Sequence, residues 1–500
     1  MAVKVDTQKE IIFGSSDPNI SRVLSKKEKD GELRKVAPRI YTTNLVDNLE
    51  NIVRRNLMDI LVYRYPDAII SHRSAKEMRP TATGDFFLTN STTRRVTDLP
   101  GIILNFVKGP KASSHDIPFM GMHISGEHRY VLENMQVSRK SGDESRVLPI
   151  SVIENKLEQI LLTGGEDRLN EYRDELRTVA EELGMQTEFA KINSIISALL
   201  STHDAKVLST DSAKALAAGS PFDQTRVELF EVLFDAIKDR YFVIRNNRNT
   251  DEESFRLFSF FESYFSNYIE GTEFEVDEAK AIVDSGIPMP RRDEDSHDIL
   301  GTFKVLSNRA EMMKTPTSPK ELFAILSHRH NILLEGRPHM NPGIFKTKNN
   351  RAGMTEFVDY QLVKGTLSQG FKYYAALTDP FARAIFMMFM ISEVHPFNDG
   401  NGRVARVMMN AELVRADQSR IIVPTVFRED YILALRKLTR HKDPLAYINV
   451  MTKLHQFSDN LHGTDFTELK NYLATCNAYE EPSQAKLQII DRNIDLQSNN

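Results

Sequence analysis

Two helical segments flank a short polar turn in the second half of the chain. The first, Phe381–Val394, is strongly apolar, and the second, Val404–Val414, has apolar residues at helical spacing. The turn between them lies in the string HPFNDGNGRVAR, which runs from His395 to Arg406. Neighbouring glycine and asparagine favour a tight turn, and the flanking periodicity favours helices. We therefore expect a helix, a loop and a second helix, within a C-terminal part that is nearly all helical.

The backbone of this turn is suited to binding an anion. Gly400, Asn401 and Gly402 expose backbone N–H groups at the start of a helix, where phosphate oxygens commonly bind. Arg403 and Arg406 lie three residues apart on one helix face, so their guanidinium groups can hold two different phosphates. The turn therefore predicts a phosphate-binding site.

Two further side chains of the turn fit nucleotide chemistry. Asp399 supplies a carboxylate, and Mg²⁺ often binds one or two carboxylates together with substrate phosphates. His395 can act as a general base near neutral pH. Taken singly, a histidine before Pro-Phe is usually structural and a Gly-Asn-Gly is usually an ordinary turn. Only the combination indicates a metal–nucleotide site.

The whole string resembles the signature of the Fic family (filamentation induced by cAMP), HPFx[D/E]GNGRxxR, at every defined position. The resemblance implies an enzyme that transfers AMP from ATP to a protein hydroxyl and releases pyrophosphate. It also implies that His395 deprotonates the Ser, Thr or Tyr hydroxyl, that Asp399 holds Mg²⁺, and that Phe397 anchors the loop in the core.

The same resemblance assigns roles to the rest of the turn. Gly400, Asn401 and Gly402 would form the anion hole, Arg403 would hold phosphate, and Arg406 would bind the γ-phosphate. The related Doc kinases have lysine in place of Gly402 and bind the nucleotide reversed. The glycine therefore favours AMP transfer over phosphorylation.

The resemblance extends upstream to residues 340–358, which look like the family's flap, a hairpin that docks the target's backbone by strand addition. Its target-docking residues would be Gly343, Ile344, Phe345 and Lys346. A common arginine of this element is Lys346 here. An ordinary surface hairpin is also compatible with these residues.

A second short pattern precedes the core. Ser266 to Gly271 reads SNYIEG and resembles the family's inhibitory motif, [S/T]xxxE[G/N]. Ser266, Glu270 and Gly271 occupy its defined positions, at the end of an expected helix over Ser254–Ile269. A carboxylate brought to Arg406 would occupy the guanidinium that the γ-phosphate needs. We therefore expect Glu270 to inhibit the enzyme.

The first hundred residues alternate short apolar runs with turn signals, which favours strands around a few helices. The segments Gly31–Tyr41, Ile70–Ala75 and Leu99–Gly101 resemble type IV antitoxin (abortive-infection) regulators, which begin with a winged helix-turn-helix. In a winged helix, four basic side chains could contact DNA phosphates: those of Arg34, Lys35, Arg54 and Arg55. A winged helix that binds protein is an equal alternative.

Length and turn signals together predict several domains in this 500-residue chain. The expected fold is mostly α: a helical Fic core with a β-hairpin flap, preceded by a smaller α+β domain. The expected parts are a winged-helix-like domain at 1–110, a helical connecting or recognition region at 111–245, the Fic domain at 246–455 with its inhibitory helix at 254–271, and a helical segment with a polar tail at 456–500.

We expect a cytoplasmic protein without a membrane span. The chain has one cysteine, Cys476, its first ten residues are charged and polar, and no apolar run approaches the ~18 residues that a span requires.

The expected activity is that of a self-inhibited protein adenylyltransferase that uses ATP and Mg²⁺ on a target protein, itself included. Two alternatives stay open: Glu270 also removes AMP from the target, or the chain is a DNA-binding regulator whose Fic core senses nucleotide. The target and the oligomeric state, a homodimer included, also stay open.

Overall fold

The computed structural model describes residues 9–201, 205–353 and 355–492. The chain forms two compact units, Met1–Ala218 and Gly219–Asn500. The boundaries near 110 and 245, the winged helix and its DNA-binding role stay predictions. Residues 493–500 of the predicted polar tail lie outside the described residues.

The first unit combines two sheets with helices. Its strands are β1 (Ile11–Phe13), β2 (Arg34–Ala37), β3 (Ile40–Thr42), β4 (Ile69–Ile70), β5 (Asp85–Asn90), β6 (Arg94–Leu99), β7 (Ile102–Lys108), β8 (Ile117–Phe119) and β9 (Met122–Ile124). Strands β1–β3 form an antiparallel sheet in the order β1-β3-β2. The others form a mixed sheet in the order β6-β7-β5-β4-β9-β8, in which β5/β7 and β4/β9 are parallel pairs.

The helices of this unit pack against the sheets early in the chain and against one another later. They are α1 (Pro18–Lys29), α2 (Leu49–Arg55), α3 (Leu57–Arg64), α4 (His72–Glu77), α5 (Glu127–Asn134), α6 (Ile150–Leu183), α7 (Gln186–Leu199) and α8 (Asp211–Ala217). The long helix α6 is kinked at Gly165, which has φ 73°.

Among its described residues, the second unit is helical apart from one hairpin. Its helices are α9 (Gln224–Ile237), α10 (Glu252–Ile269), α11 (Val276–Ser285), α12 (Asp293–Leu306), α13 (Arg309–Met312), α14 (Pro319–Leu333), α15 (Val363–Ala376), α16 (Pro380–Val394), α17 (Asn401–Arg415), α18 (Arg428–His441), α19 (Pro444–Ser458) and α20 (Phe466–Thr475). Strands β10 (Arg351–Ala352) and β11 (Thr355–Glu356) form the hairpin. The expectation of a mostly α chain with a smaller α+β front is confirmed.

Helix α16 is the central element of this unit. It begins with Pro380, and the Asp379 carboxylate caps it by accepting the N–H of Ala382 at 2.8 Å. Apart from Arg383, Ser392 and Glu393, its residues are apolar, so it is stable only when surrounded by other helices. Helix α17 packs against it after the turn, which places the 395–406 string at one end of a buried helix pair.

Within the described ranges, none of the helices combines the length and apolar character needed to cross a lipid bilayer.

A close approach between α12 and α14 requires glycine at position 301. A Cβ there would lie 2.6 Å from the carbonyl oxygen of Leu333 and 2.7 Å from that of Ile332. Alanine favours a helix by about 1 kcal/mol over glycine, but backbone carbonyls cannot move aside as a side chain can.

We therefore expect Gly301→Ala to lower the free energy of unfolding by about 1–2 kcal/mol, since the steric cost exceeds the gain in helix propensity. Urea unfolding followed by circular dichroism measures this. The exposed Lys304→Ala on the same helix is the control, with an expected change within about 0.5 kcal/mol. A more stable Gly301→Ala protein would show that the two helices separate easily.

Candidate active site

The turn between α16 and α17 has a fixed backbone shape. His395, which follows α16, has φ 50°, and Gly400, which precedes α17, has φ 70°. The Asn401 amide closes the loop: its Oδ1 accepts the N–H of Phe397 at 2.9 Å, and its Nδ2 donates to the carbonyl of Phe397 at 2.9 Å. The Asn401 side chain therefore fixes the shape of the turn.

The Phe397 ring is fully buried beneath the turn and stacks on the imidazole of His330 at 3.7 Å. His330 Nε2 lies 2.9 Å from the carbonyl oxygen of Asp399, which can only accept, so Nε2 carries the proton. Nδ1 then accepts the N–H of Gly343 at 2.9 Å. Burial lowers the pKa of His330 to about 4, which keeps the ring neutral for both bonds. His330 thus ties the start of the flap to the turn.

The His395 ring is held in a fixed orientation by two contacts. Its ring stacks on Phe357 at 3.5 Å, and Nδ1 lies 3.0 Å from the carbonyl oxygen of Ser392, so Nδ1 carries the proton. Nε2 is then unprotonated and can accept a proton. Burial lowers the pKa of His395 to about 4, so the imidazole is neutral at physiological pH.

The predicted inhibitory residues surround Arg406. The guanidinium donates through Nη2 to Glu270 Oε1 at 2.6 Å and through Nε to Ser266 Oγ at 2.9 Å, and Nη2 also lies 2.9 Å from the Ser266 carbonyl. A Cβ added to Gly402 would overlap Glu270 Oε1. The Glu270 carboxylate therefore lies directly on the N-terminal turn of α17, where an anion is expected.

Both members of this pair are ionised. Burial alone would raise the pKa of Glu270, but the guanidinium groups of Arg406 and Arg403 outweigh it and hold that pKa below its usual range. Burial alone would lower the pKa of Arg406, and Glu270 reverses that shift. The contact is thus a charged hydrogen bond, which is stronger than a neutral one.

The end of α10 places the Glu270 carboxylate. The helix ends at Ile269, and Gly271 adopts φ 92°, a left-handed conformation that favours glycine at a helix end. The N–H of Thr272 turns back to the carbonyl of Asn267 at 3.1 Å. The glycine of the inhibitory motif therefore stops the helix directly after its glutamate.

Asp399 and Arg403 lie beside one another at the turn. The Asp399 carboxylate is about 37% exposed, with Arg403 Nη2 at 3.7 Å and Arg337 Nη1 at 3.9 Å. Arg403 is buried and donates through Nη1 to Asp298 Oδ2 at 2.8 Å. Among the described residues, no three His, Cys, Asp or Glu side chains form a metal cluster. A cation at Asp399 would need oxygen ligands from a substrate.

The flap residues are divided between surface and interior. Ile344 is 58% exposed. Lys346 is buried: its backbone N–H donates to the carbonyl of Pro396 at 2.9 Å, and Nζ donates to Asn350 Oδ1 at 2.7 Å. Burial lowers the pKa of Lys346 to about 8. The hairpin strands begin at Arg351, after these residues, and Met354 at the hairpin tip lies outside the described residues.

Three residues of the site were not assigned to it from the sequence. His330 stood beside other basic residues in a helix, and Asp298 and Arg337 lay among surface-like charges. Helical periodicity in a sequence predicts burial only for apolar positions. The contacts that give these three residues a role link different elements, which a motif cannot show.

Comparisons with known proteins give a family for part of the second unit. Residues 321–413 match the Fic/DOC family. The chain is 26% identical over 178 residues to Protein adenylyltransferase fic-1 of Caenorhabditis elegans, an alignment that covers 34% of this chain and 35% of that protein. It is 25% identical over 205 residues to Protein adenylyltransferase Fic of Nematostella vectensis, covering 38% and 45% of the two chains.

Residues 321–413 therefore form a Fic domain, as the HPFNDGNGRVAR string predicted. The chain spans less than half the length of these curated relatives. A solved structure of C. elegans Fic-1, residues 134–508, aligns over 66% of this chain and 94% of that one, with 16% identity and a TM-score of 0.36. The antitoxin resemblance of the front part stays a prediction.

The buried environment of His395 has a measurable consequence. Because its pKa is lowered to about 4, we expect the imidazole to stay neutral throughout about pH 6–8, whereas an ordinary histidine titrates near about 6.5. NMR of the histidine ring protons measures this, and the resonance missing in His395→Ala assigns the signal. A His395 midpoint close to 6.5 would show an exposed ring.

Proposed function

We propose that this chain is a self-inhibited protein adenylyltransferase, which transfers AMP from ATP to a Ser, Thr or Tyr hydroxyl of a target protein. The observation that carries the proposal is the Glu270 carboxylate, which lies on Arg406 and on the Gly402 turn. A built-in anion at this position marks both an anion-binding site and the means of blocking it.

The proposed chemistry assigns one role to each part of the site. His395 Nε2 accepts the proton of the target hydroxyl, whose oxygen attacks the α-phosphorus of ATP. The bond between that phosphorus and the bridging oxygen of the β-phosphate breaks, and pyrophosphate leaves. The backbone N–H groups of the turn and Arg403 stabilise negative charge on the phosphates. A neutral histidine at physiological pH is the protonation state that this step needs.

Inhibition follows from the geometry of Arg406. While its guanidinium is bonded to Glu270 and Ser266, the γ-phosphate lacks its arginine and is repelled by the carboxylate. ATP can still be held by Arg403 and the turn, but with its α-phosphate out of line with the target hydroxyl. The relatives named protein adenylyltransferases support the proposed reaction.

The residues at the turn fit a bound Mg²⁺. Asp399 offers one partly exposed carboxylate beside the anion turn, and its two arginine neighbours are 3.7 Å and 3.9 Å away, beyond normal hydrogen-bond distance. One carboxylate with phosphate oxygens is a common ligand set for Mg²⁺. Asp399 would hold the ion, whose chemistry in such a site is to neutralise charge on the phosphates.

We expect Glu270→Gly to raise AMP transfer at least about tenfold, because it removes a charged hydrogen bond of about 1.5–3 kcal/mol that blocks Arg406. Arg406→Ala breaks the same pair but should give no gain, since it also removes the γ-phosphate ligand. The measurement is transfer of label from α-labelled ATP to proteins of a cell lysate and to the enzyme itself, followed by mass spectrometry.

Two controls make this experiment specific. Glu273→Gly removes an exposed carboxylate just beyond the helix and should leave the rate unchanged. His395→Ala in the Glu270→Gly protein should abolish transfer while ATP binding stays nearly intact. Absence of labelled protein with every variant would refute the adenylyltransferase assignment, and equal rates for wild type and Glu270→Gly would refute self-inhibition.

The metal assignment is tested at Asp399. Asp399→Ala in the Glu270→Gly protein should lower transfer about tenfold or more at low Mg²⁺ and recover partly at high Mg²⁺, because the phosphates supply the remaining ligands. Full activity of the Glu270→Gly protein in excess EDTA would exclude the metal from the reaction.

A further inference from the structure

Arg403, the other arginine of the turn besides Arg406, contacts a residue that lies outside every motif. Arg403 Nη1 forms an ion pair with Asp298 Oδ2 at 2.8 Å and donates to Asn267 Oδ1 at 3.4 Å, and the Arg403 and Asp298 side chains are each 3% exposed. Asp298 lies on α12, which packs against α10 and α14. One edge of the Arg403 guanidinium therefore contacts a buried carboxylate that belongs to another helix, and the other edge faces the turn.

The same carboxylate oxygen has a second partner. Arg337, in the loop after α14, donates through Nη2 to Asp298 Oδ2 at 2.6 Å. Its other terminal nitrogen lies 3.9 Å from Asp399 Oδ2. Asp298 therefore stands between two arginines, and both of those arginines reach the carboxylate of Asp399. Four charges alternate in sign around the edge of the anion turn.

This arrangement has two physical effects on Arg403. A guanidinium is planar, so fixing one of its edges also fixes the direction of the other. With Nη1 on Asp298, Nη2 points toward Asp399. The buried negative charge of Asp298 also opposes the positive potential that attracts phosphate. The Asp298 carboxylate therefore improves the orientation of Arg403 but weakens the attraction of phosphate to it.

We propose that Asp298 is a positioning residue for the transfer reaction: it aligns Arg403 on the nucleotide's phosphates, at the expense of binding affinity. The inference rests on the proposed function for the identity of the ligand. The Asp298 carboxylate has the same sign of charge as phosphate, so it is not itself a phosphate ligand, and it contacts Arg337 and Arg403 beside the turn. A side chain that only supported the fold would change stability without separating kcat from Kd.

The test compares two carboxylates of α12 in the Glu270→Gly protein, where the inhibitory pair is absent. Asp298→Asn removes the charge and loosens Arg403. Glu294→Gln is the matched control, because Glu294 lies 3.8 Å from the same Arg337 but is 58% exposed and is not paired with Arg403. For Asp298→Asn we expect kcat to fall about tenfold while the Kd for Mg·ATP stays equal or becomes several-fold tighter. For Glu294→Gln both should stay within about twofold.

Other outcomes overturn the inference. A kcat unchanged by Asp298→Asn would show that Arg403 needs no support. Weaker ATP binding with an unchanged kcat would make Asp298 part of the binding pocket rather than a positioning residue. Thermal unfolding shows whether the variant is folded. If Asp298→Asn does not fold, Asp298→Glu keeps the charge but moves it, so kcat should fall about tenfold while the Kd for Mg·ATP stays unchanged.

A readout independent of transfer separates this inference from the proposed function. The ³¹P resonances of bound Mg·ATP should shift in Asp298→Asn and stay in place in Glu294→Gln. Failure of the Glu270→Gly protein to transfer AMP would refute the proposed function and leave this measurement valid. Identical ³¹P spectra for Asp298→Asn and its parent would refute the role of Asp298.

Discussion

The ion pair of Glu270 and Arg406 joins the two helices on which the site depends. It links the last turn of α10 to the first turns of α17 and places a carboxylate on the anion turn. Its energy comes from charge as well as hydrogen bonding, because both partners are ionised and the Arg406 side chain is buried, while the Glu270 side chain is 32% exposed. Any anion that uses Arg406 must first replace this contact, so the pair determines whether the Arg406 guanidinium is available to an anion.

The pair is the last step of a polar ladder between the antiparallel helices α10 and α17. One helical turn before Glu270, Ser266 accepts from Arg406 at 2.9 Å. One turn earlier again, Glu262 accepts from Asn410 at 2.7 Å. Arg420 pairs with Glu262 at 3.0 Å, and burial raises the pKa of Glu262 to about 7. A buried charge without its partner is costly, so the ladder favours one register of α10 and brings Glu270 to Arg406 in that register.

The catalytic turn was predictable because its residues are contiguous and its chemistry is local. Glycines, a carboxylate, arginines and a histidine in twelve consecutive residues necessarily lie close together, and Glu270 precedes a glycine that marks the end of its helix. The helical character of the second unit followed from apolar periodicity.

His330, Arg337 and Asp298 were not predictable, because their roles depend on tertiary contacts: a ring that stacks on Phe397, and a carboxylate shared by two arginines. The division of the first unit into two sheets depends on long-range strand pairing, which short apolar runs do not specify.

The measurement that bears most directly on the central claim is the rate of AMP transfer over a full range of ATP concentrations, for the wild-type protein and for Glu270→Gly. The account predicts that the gain persists at saturating ATP, because the carboxylate leaves ATP bound with its α-phosphate misaligned, so that the variant differs in rate more than in affinity. A gain confined to low ATP would show simple exclusion of the nucleotide. Equal rates at every ATP concentration would contradict the account and leave the end of α10 as an ordinary helix terminus.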